Sequence, residues 1–456
     1  MEVVGISAIL AGDSLFYCRG FFLLGPLRTF LLLTGWVFPS VFVRLADMNE
    51  PSREKHCLDC GPAPVSHFAA KTSVILGFLI KKITRPFAFI EDRIVNFLFP
   101  RFEPVMPFFF KTLSFFGLGE VTDKCADDNI ERTKCLWKAA EKRGIAMHQF
   151  RILKRPTIIF FADFKGKRRV FEGLPRPAKR GAAGSSLEWM DNKAVMKEKF
   201  KVGGIPVAKG EVAMTERKAL AIFKTIGHPV IAKPNLGSRS RHTTIHISTE
   251  EALLTAFRKA SKLSPWVVVE EELSGFVFRI TLIGGKLAGA LRREPPFVMG
   301  DGVSTVLALV EKENKNPRRH NGVFHEIALD KDAEEELSRQ SLSWKSIPKA
   351  GQFVTLNQKV GRGQGGSNTE MLPKVHPDNV KLFEKLAEVL DDPLVGVDFI
   401  MQDIERPWTE QKLCGAIECN SLPFLDLHHM PLYGEPLDPS GALWDIVFPD
   451  SATASA

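Results

Sequence analysis

Gly396-Val-Asp398-Phe-Ile400 and, further on, Ala416-Ile-Glu418-Cys-Asn420 are two short apolar runs that each carry oxygen-bearing side chains. On a strand, residues two apart point to one face, so Glu418 and Asn420 share a side. Asp398, Glu418 and Asn420 together make an oxygen-only donor set, which suits Mg²⁺. Burying such acids is costly unless they are paired or hold a metal. A hairpin-like connection through Pro407 and Lys412 lets the two strands bring the three side chains together. The alternative is a pair of edge strands with one solvated face. The metal reading points to phosphate chemistry.

Working upstream, Arg279, Arg292 and Arg293 fall on a hairpin expected around Gly284-Gly285, with strands over Phe278–Ile283 and Lys286–Arg292. Arginine suits a phosphoryl group because its planar fork donates paired hydrogen bonds. Adjacent Arg292 and Arg293 point to opposite faces, so only one of them joins Arg279 with ease. Val267-Val-Val-Glu270-Glu271-Glu272-Leu273-Ser-Gly275 is an apolar strand ending in acids and a turn. Such a strand end either offers backbone groups to a purine edge or is a solvated terminus. Ile231-Ala-Lys233-Pro234 is a strand that delivers a lysine into Asn235-Leu-Gly237-Ser238-Arg239-Ser240-Arg241. Backbone N–H groups of such a loop can surround phosphate oxygens while lysine supplies charge. It lacks the Gly-Lys-Ser/Thr ending of a Walker loop, and a basic surface turn is the alternative.

The 456 residues allow roughly two to four domains. With 45% apolar and 25% charged residues the chain is globular rather than disordered. A net charge of +8 without an aromatic-interleaved basic run ranks nucleic acid last among anionic partners. Seven cysteines without regular spacing argue for a reducing compartment, here the cytoplasm, and against a disulfide framework. Cys57 and Cys60 form one Cys-x-x-Cys; no second pair follows at zinc-finger spacing, which weighs against a metal there.

Phenylalanine outnumbers tyrosine 35 to 2, and about half of it lies in the first 120 residues. Residues 1–118 read as an apolar helical region. Phe21–Val43 is nearly long enough to span a bilayer but is interrupted by Arg28 and two prolines. Ser73–Ile90 and Ile94–Leu118 mix apolar residues with cations in the manner of interfacial helices. Peripheral membrane contact and packing, on the rest of the protein or in a homo-oligomer, are the two readings. Further on, helices are expected over Ile130–Gly144, Asp191–Lys201, Glu216–Ile226, Glu250–Lys262, Val303–Asn314 and Asn379–Leu390. Strands are expected over Thr157–Phe161, Pro229–Lys233 and Trp266–Glu270, with a turn-rich loop over Pro175–Ser186. The interleaving lacks a strict βαβ rhythm, which gives an α+β class.

These segments in this order resemble the ATP-grasp superfamily of carboxylate–amine ligases, above all the ATP-grasp module of cyanophycin synthetase and of bifunctional glutathione-forming enzymes. The resemblance runs roughly from Asn129 to Pro449. It rests on Asp191-Asn-Lys193 with Gly204-Ile-Pro-Val207, on Ala232-Lys233-Pro234, and on Val269-Glu270 through Gly275 with Arg279. It continues in Ala290-Leu-Arg-Arg-Glu-Pro295, Gly300-Asp-Gly-Val-Ser-Thr305, Asn314-Lys-Asn-Pro-Arg-Arg319 and Gly365-Gly366, and then in Val397-Asp398, Glu418-Cys-Asn420 and Ile446-Val-Phe-Pro449.

The resemblance implies an α+β ATP-grasp fold, two subdomains around an ATP cleft. The regions would be 119–190 ahead of the grasp, 191–270 and 271–449 as its two subdomains, and 450–456 as a tail. It implies ATP and Mg²⁺ as cofactors and amino acids or peptides as substrates. Lys193, Lys233, Ser238, Arg239, Ser240, Glu270, Glu271 and Leu273 would bind nucleotide, the last three in the segment that reads adenine. Asp398, Glu418 and Asn420 would hold the metal, and Arg279 and Arg293 would neutralise the transferred group. The Arg362–Gly366 loop would help to close over the substrates. Val277 stands where family members place an acid for the ribose, and Arg241-His242 where small residues are usual. A non-catalytic ATP-binding module, tethered to a membrane or partner, is the alternative to a ligase.

Overall fold

A computed structural model describes residues 57, 60, 66–79, 105–117, 119–152, 155–177, 192–227, 229–236, 241–358, 360 and 365–454. They divide into two units: one runs to Thr122 and resumes over His148–Glu272, and the other holds Asp123–Met147 and the chain from Leu273 onward. Residues 119–190, expected as a single region, are therefore shared between the units. The Phe21–Val43 stretch lies outside the described residues, as does most of the Pro175–Ser186 loop.

β1 (Glu120–Thr122), β2 (Ala146–Ile152), β3 (Arg155–Phe164) and β4 (Lys167–Glu172) form a sheet in that order. Phe150, Phe161 and Val170 of this sheet pack on Phe110 of the helix Met106–Phe115. Part of the phenylalanine-rich region thus serves as core, while Phe108 and Phe115 of the same helix stay exposed. Among the described residues, no helix is long and apolar enough to cross a membrane.

β5 (Gly210–Ala213), β6 (Val230–Pro234), β7 (Thr244–Ile247) and β8 (Val267–Glu271) form a second antiparallel sheet in the order β5-β8-β6-β7. Its odd-numbered β8 residues Val267 and Val269, with Val230 and Ala232, pack under the helices Glu216–Ile226 and Glu250–Ser261. Each of the three fully buried valines contributes about 1.5–3 kcal/mol. Both helices start on a threonine, Thr215 or Thr249, whose hydroxyl accepts a first-turn N–H. The opposite face of this sheet carries Lys233, Val268 and Glu270.

In the second unit, β9 (Phe276–Ile283) and β10 (Lys286–Glu294) form the expected hairpin, longer at both ends than the sequence suggested. Gly284 and Gly285 both take positive φ, +61° and +83°, the conformation a two-residue turn between twisted strands requires. A short pair, β11 (Phe297–Met299) with β12 (Phe353–Thr355), lies apart. β13 (Ser367–Glu370), β14 (Leu394–Met401) and β15 (Gly415–Asn420) complete a five-stranded sheet in the order β13-β10-β9-β14-β15. The helix Glu131–Glu141 belongs to this unit through Trp444, whose buried Nε1–H donates to the Leu136 carbonyl at 3.0 Å. Paired strands in both units run antiparallel, which makes the fold α+β.

Candidate active site

The first unit gathers cations around one acid. Glu270, next to last on β8 after three valines, is fully buried at 0% exposure. Lys233, diagonal to it on β6, places Nζ 2.6 Å from Glu270 Oε1, and Lys197 reaches the other oxygen from the helix Lys193–Val202. Burial draws the Lys197 ammonium down to about 8, with Glu271 opposing and Lys193 assisting. The carboxylate beside it favours the charged form, so Lys197 is an ammonium at neutral pH. Two ammonium groups around one carboxylate leave a net positive charge, which suits an anion.

Lys193 opens its helix, behind Asn192, whose side chain accepts the N–H of Ala194 and Val195. At the far end of β8 the backbone N–H groups of Glu271 and Glu272 are already bonded to the Lys209 and Pro229 carbonyls. The Glu271 carboxylate accepts the Lys209 N–H at 2.8 Å. Those two backbone donors are therefore engaged within the fold, and Leu273 follows immediately after them. Ser238, Arg239, Ser240 and Arg362 lie outside the described residues.

The second unit holds a polar cluster of its own. Arg279 on β9 lies directly across from Asp398 on β14, which in turn lies across from Glu418 on β15. One face of the sheet therefore carries all three. Asn420, opposite Gly396, joins them two residues along. Arg279 grips Asp398 at two points, Nε to Oδ1 at 2.5 Å and Nη2 to Oδ2 at 3.1 Å. Arg293 adds a third contact, Nη1 to Oδ2 at 3.4 Å. Arg292, pointing to the other face as expected, instead pairs with Glu294 and covers the Phe276 ring.

Burial opposes ionisation of Asp398, but Arg279 and Arg293 outweigh it and hold its carboxyl below the ordinary aspartate range. Burial likewise works against the Arg279 cation, and Asp398 and Glu418 raise its pKa in spite of it. Both groups are thus charged at neutral pH. Arg279 Nη1 and Asn420 Nδ2 are buried and have no hydrogen-bond partner among the described residues. Two carboxylates and one amide facing the same way fit Mg²⁺, a hard cation that takes oxygen ligands. A buried guanidinium with an N–H to spare fits a phosphoryl oxygen.

Two features escaped sequence reasoning. Lys197 follows Lys193 by four residues on one helix, so helical periodicity was the signal that would have placed it on the same face. Glu370, His428 and Thr281 form a buried chain, with His428 Nδ1 2.6 Å from Glu370 Oε2 and Nε2 2.7 Å from the Thr281 hydroxyl. The three residues come from β13, a four-residue helix and β9, and no local pattern links them.

No model of a protein family matches the chain. Cyanophycin synthetase of Nostoc sp. is 30% identical over 323 residues, which are 70% of this chain and 35% of that protein. The glutathione biosynthesis bifunctional protein GshAB of Clostridium perfringens is 31% identical over 271 residues, 57% of this chain and 34% of that protein. The chain thus spans about a third of the length of the curated relatives it matches. A crystal structure of a bifunctional glutathione synthetase from Pasteurella multocida superposes with a TM-score of 0.55 at 24% identity, covering 71% of this chain and 44% of that one.

Proposed function

We propose, from its ATP-grasp fold and its likeness to cyanophycin synthetase and the bifunctional glutathione-forming enzymes, that this chain is an ATP- and Mg²⁺-dependent carboxylate–amine ligase. The observation that carries the reading is the row Arg279, Asp398, Glu418 on one sheet face, with Arg293 closing on the same aspartate.

In this reading Lys233 and Lys197 neutralise the polyphosphate, and the backbone beyond Glu271, at Leu273, meets the purine edge. Asp398, Glu418 and Asn420 hold Mg²⁺, which when bound neutralises phosphate charge and aligns the terminal phosphoryl group. Arg279 keeps Asp398 ionised and oriented and offers its spare N–H to the transferred phosphoryl group. Arg293, partly exposed, is placed to do the same from the next strand but one. A substrate carboxylate oxygen attacks the terminal phosphorus of ATP, and the bond to the bridging oxygen breaks, releasing ADP. An amine then attacks the acyl carbon, phosphate leaves with the bonding pair, and the ammonium proton passes to solvent. Excluding water protects the acyl phosphate. The substrates are an amino acid or peptide acid and an amine.

The test is release of ADP and phosphate across a pool of amino acids and dipeptides, with product masses read in parallel. Turnover is expected only when acid and amine are both present, with an amide as product. Glu418→Ala is expected to lower turnover by at least about 100-fold while leaving the thermal midpoint close to that of the parent. If the protein fails to bind ATP with Mg²⁺ and Glu418→Ala changes nothing, the reading fails.

A further inference from the structure

The unit that holds β5–β8 contains a second cluster of ligating side chains, which includes neither Lys233 nor Glu270. Cys57 and Cys60 lacked a second cysteine pair in the sequence, and the spacing weighed against a metal. Folding supplies the missing half. His67, at the start of a helix over 67–79, comes up beside them, and His242 returns to the same point from 182 residues beyond Cys60.

The four ligand atoms all lie within 4.8 Å of one another. Cys60 Sγ is 3.3 Å from His67 Nε2 and 3.4 Å from His242 Nε2, and Cys57 Sγ is 3.6 Å from that same His242 nitrogen. Tetrahedral zinc, with bonds of about 2.3 Å to sulfur and 2.0–2.1 Å to nitrogen, sets its sulfur and nitrogen ligands about 3.5 Å apart. The three observed separations straddle that value. The His67 and His242 rings meet nearly at right angles, 86° with centroids 4.8 Å apart, which lets both Nε2 atoms aim at one point.

The surroundings of His242 fit the same role. Its Nδ1 lies 2.8 Å from the Lys259 carbonyl, an acceptor, so Nδ1 carries the proton and the Nε2 lone pair faces the sulfurs. The ring is fully buried and Cys60 nearly so. His242 also takes a φ of +52°, a left-handed backbone that a non-glycine residue keeps only where the surrounding structure enforces it. His242 stands where the ATP-grasp pattern has a small residue, and ligation gives a reason for that exchange.

We propose that Cys57, Cys60, His67 and His242 form a structural zinc site. Two thiolates and two neutral imidazoles balance the Zn²⁺ charge, and binding releases two thiol protons to solvent. All four positions of a tetrahedron are filled by protein, which leaves none open for substrate and makes the role structural rather than catalytic. The ion would pin the helix over 67–79 to the chain just ahead of β7.

The full-length chain, purified without chelator, is expected to contain one zinc per chain by elemental analysis. After replacement by Co²⁺ it should show the visible bands of a tetrahedral site together with sulfur-to-cobalt charge transfer. Cys60→Ser is expected to lose the metal. His67→Cys provides a second arm that does not depend on how Cys60→Ser folds: it should keep one metal and strengthen the charge-transfer band as a third thiolate joins. Metal content near zero after growth and reconstitution with zinc would overturn the proposal, as would a cobalt spectrum that His67→Cys leaves unchanged. Neither readout depends on ATP, so a chain that holds zinc without turning over ATP keeps this inference and loses the ligase reading.

Discussion

At the scale of single residues, the site is a set of charges that stabilise one another. Asp398 and Arg279 are both almost wholly buried, so each is tolerable only beside the other. Asp398→Asn leaves the guanidinium without its counter-charge, and a loss of about 3–5 kcal/mol is expected in urea unfolding. The sign of the pH effect follows from the depressed carboxyl: the pair's contribution is full above the ordinary aspartate pKa and is lost as pH falls through the lower folded-state value. Acid titration of the parent should therefore show a stability loss in that window that Asp398→Asn lacks. Gly289 makes a second residue-scale case. A Cβ built there would sit 2.4 Å from the buried His428 ring, which is held between Glu370 and Thr281. Gly289→Ala is expected to lower the thermal midpoint by several degrees, whereas Gly285→Ala, with open space around it, is penalised only by its positive φ.

At the scale of elements, the caps and strand ends carry the measurable effects. Thr249→Ala removes the hydroxyl that caps the helix Glu250–Ser261, at a cost of about 1 kcal/mol in chemical denaturation. The same helix presents the Lys259 carbonyl to His242, so looser zinc retention should accompany the loss. Glu172, at the end of β4, has its carboxyl pushed up to about 7 by burial. Its folded pKa is raised, so its contribution is full below the ordinary glutamate pKa and is lost as pH rises to about 7. Glu172→Gln should flatten that slope, worth about 1–3 kcal/mol, in stability measured from pH 4 to 8. Elements with strong local signals were legible in advance: Glu216–Ile226 matches its expected bounds, because a threonine cap, an amphipathic face and a glycine stop all agree there. The four-residue β5 and β7 and the three-residue β11 and β12 were not, because pairing with neighbours rather than local pattern makes them strands.

At the scale of the whole molecule, the chain passes between its two units at Thr122, Met147 and Glu272, so neither is a continuous segment. Residues 273–456 alone lack the helix Glu131–Glu141, against which Trp444 is buried, and they lack Arg143, which pairs with Asp445 at 2.8 Å. That fragment is expected to give poorly dispersed NMR spectra and no cooperative melt. Joining residues 123–147 to it should restore both. Periodicity and residue chemistry were enough to read the α+β class, the Gly284-Gly285 hairpin and the shared side of Glu418 and Asn420, because a strand's two-residue repeat and a turn's demand for positive φ act over a few neighbours; the pairing of β14 with β15 brought Asp398 to that side. The order of the motifs was enough for the ATP-grasp resemblance. Tertiary structure alone decided that Arg279 and Arg293 close on Asp398, that Lys197 joins Lys233 on Glu270, and that His67 and His242 meet Cys57 and Cys60. Those contacts join residues from separate elements, up to 185 positions apart, and only packing of the buried sheet faces and cores brings such atoms within reach of one another.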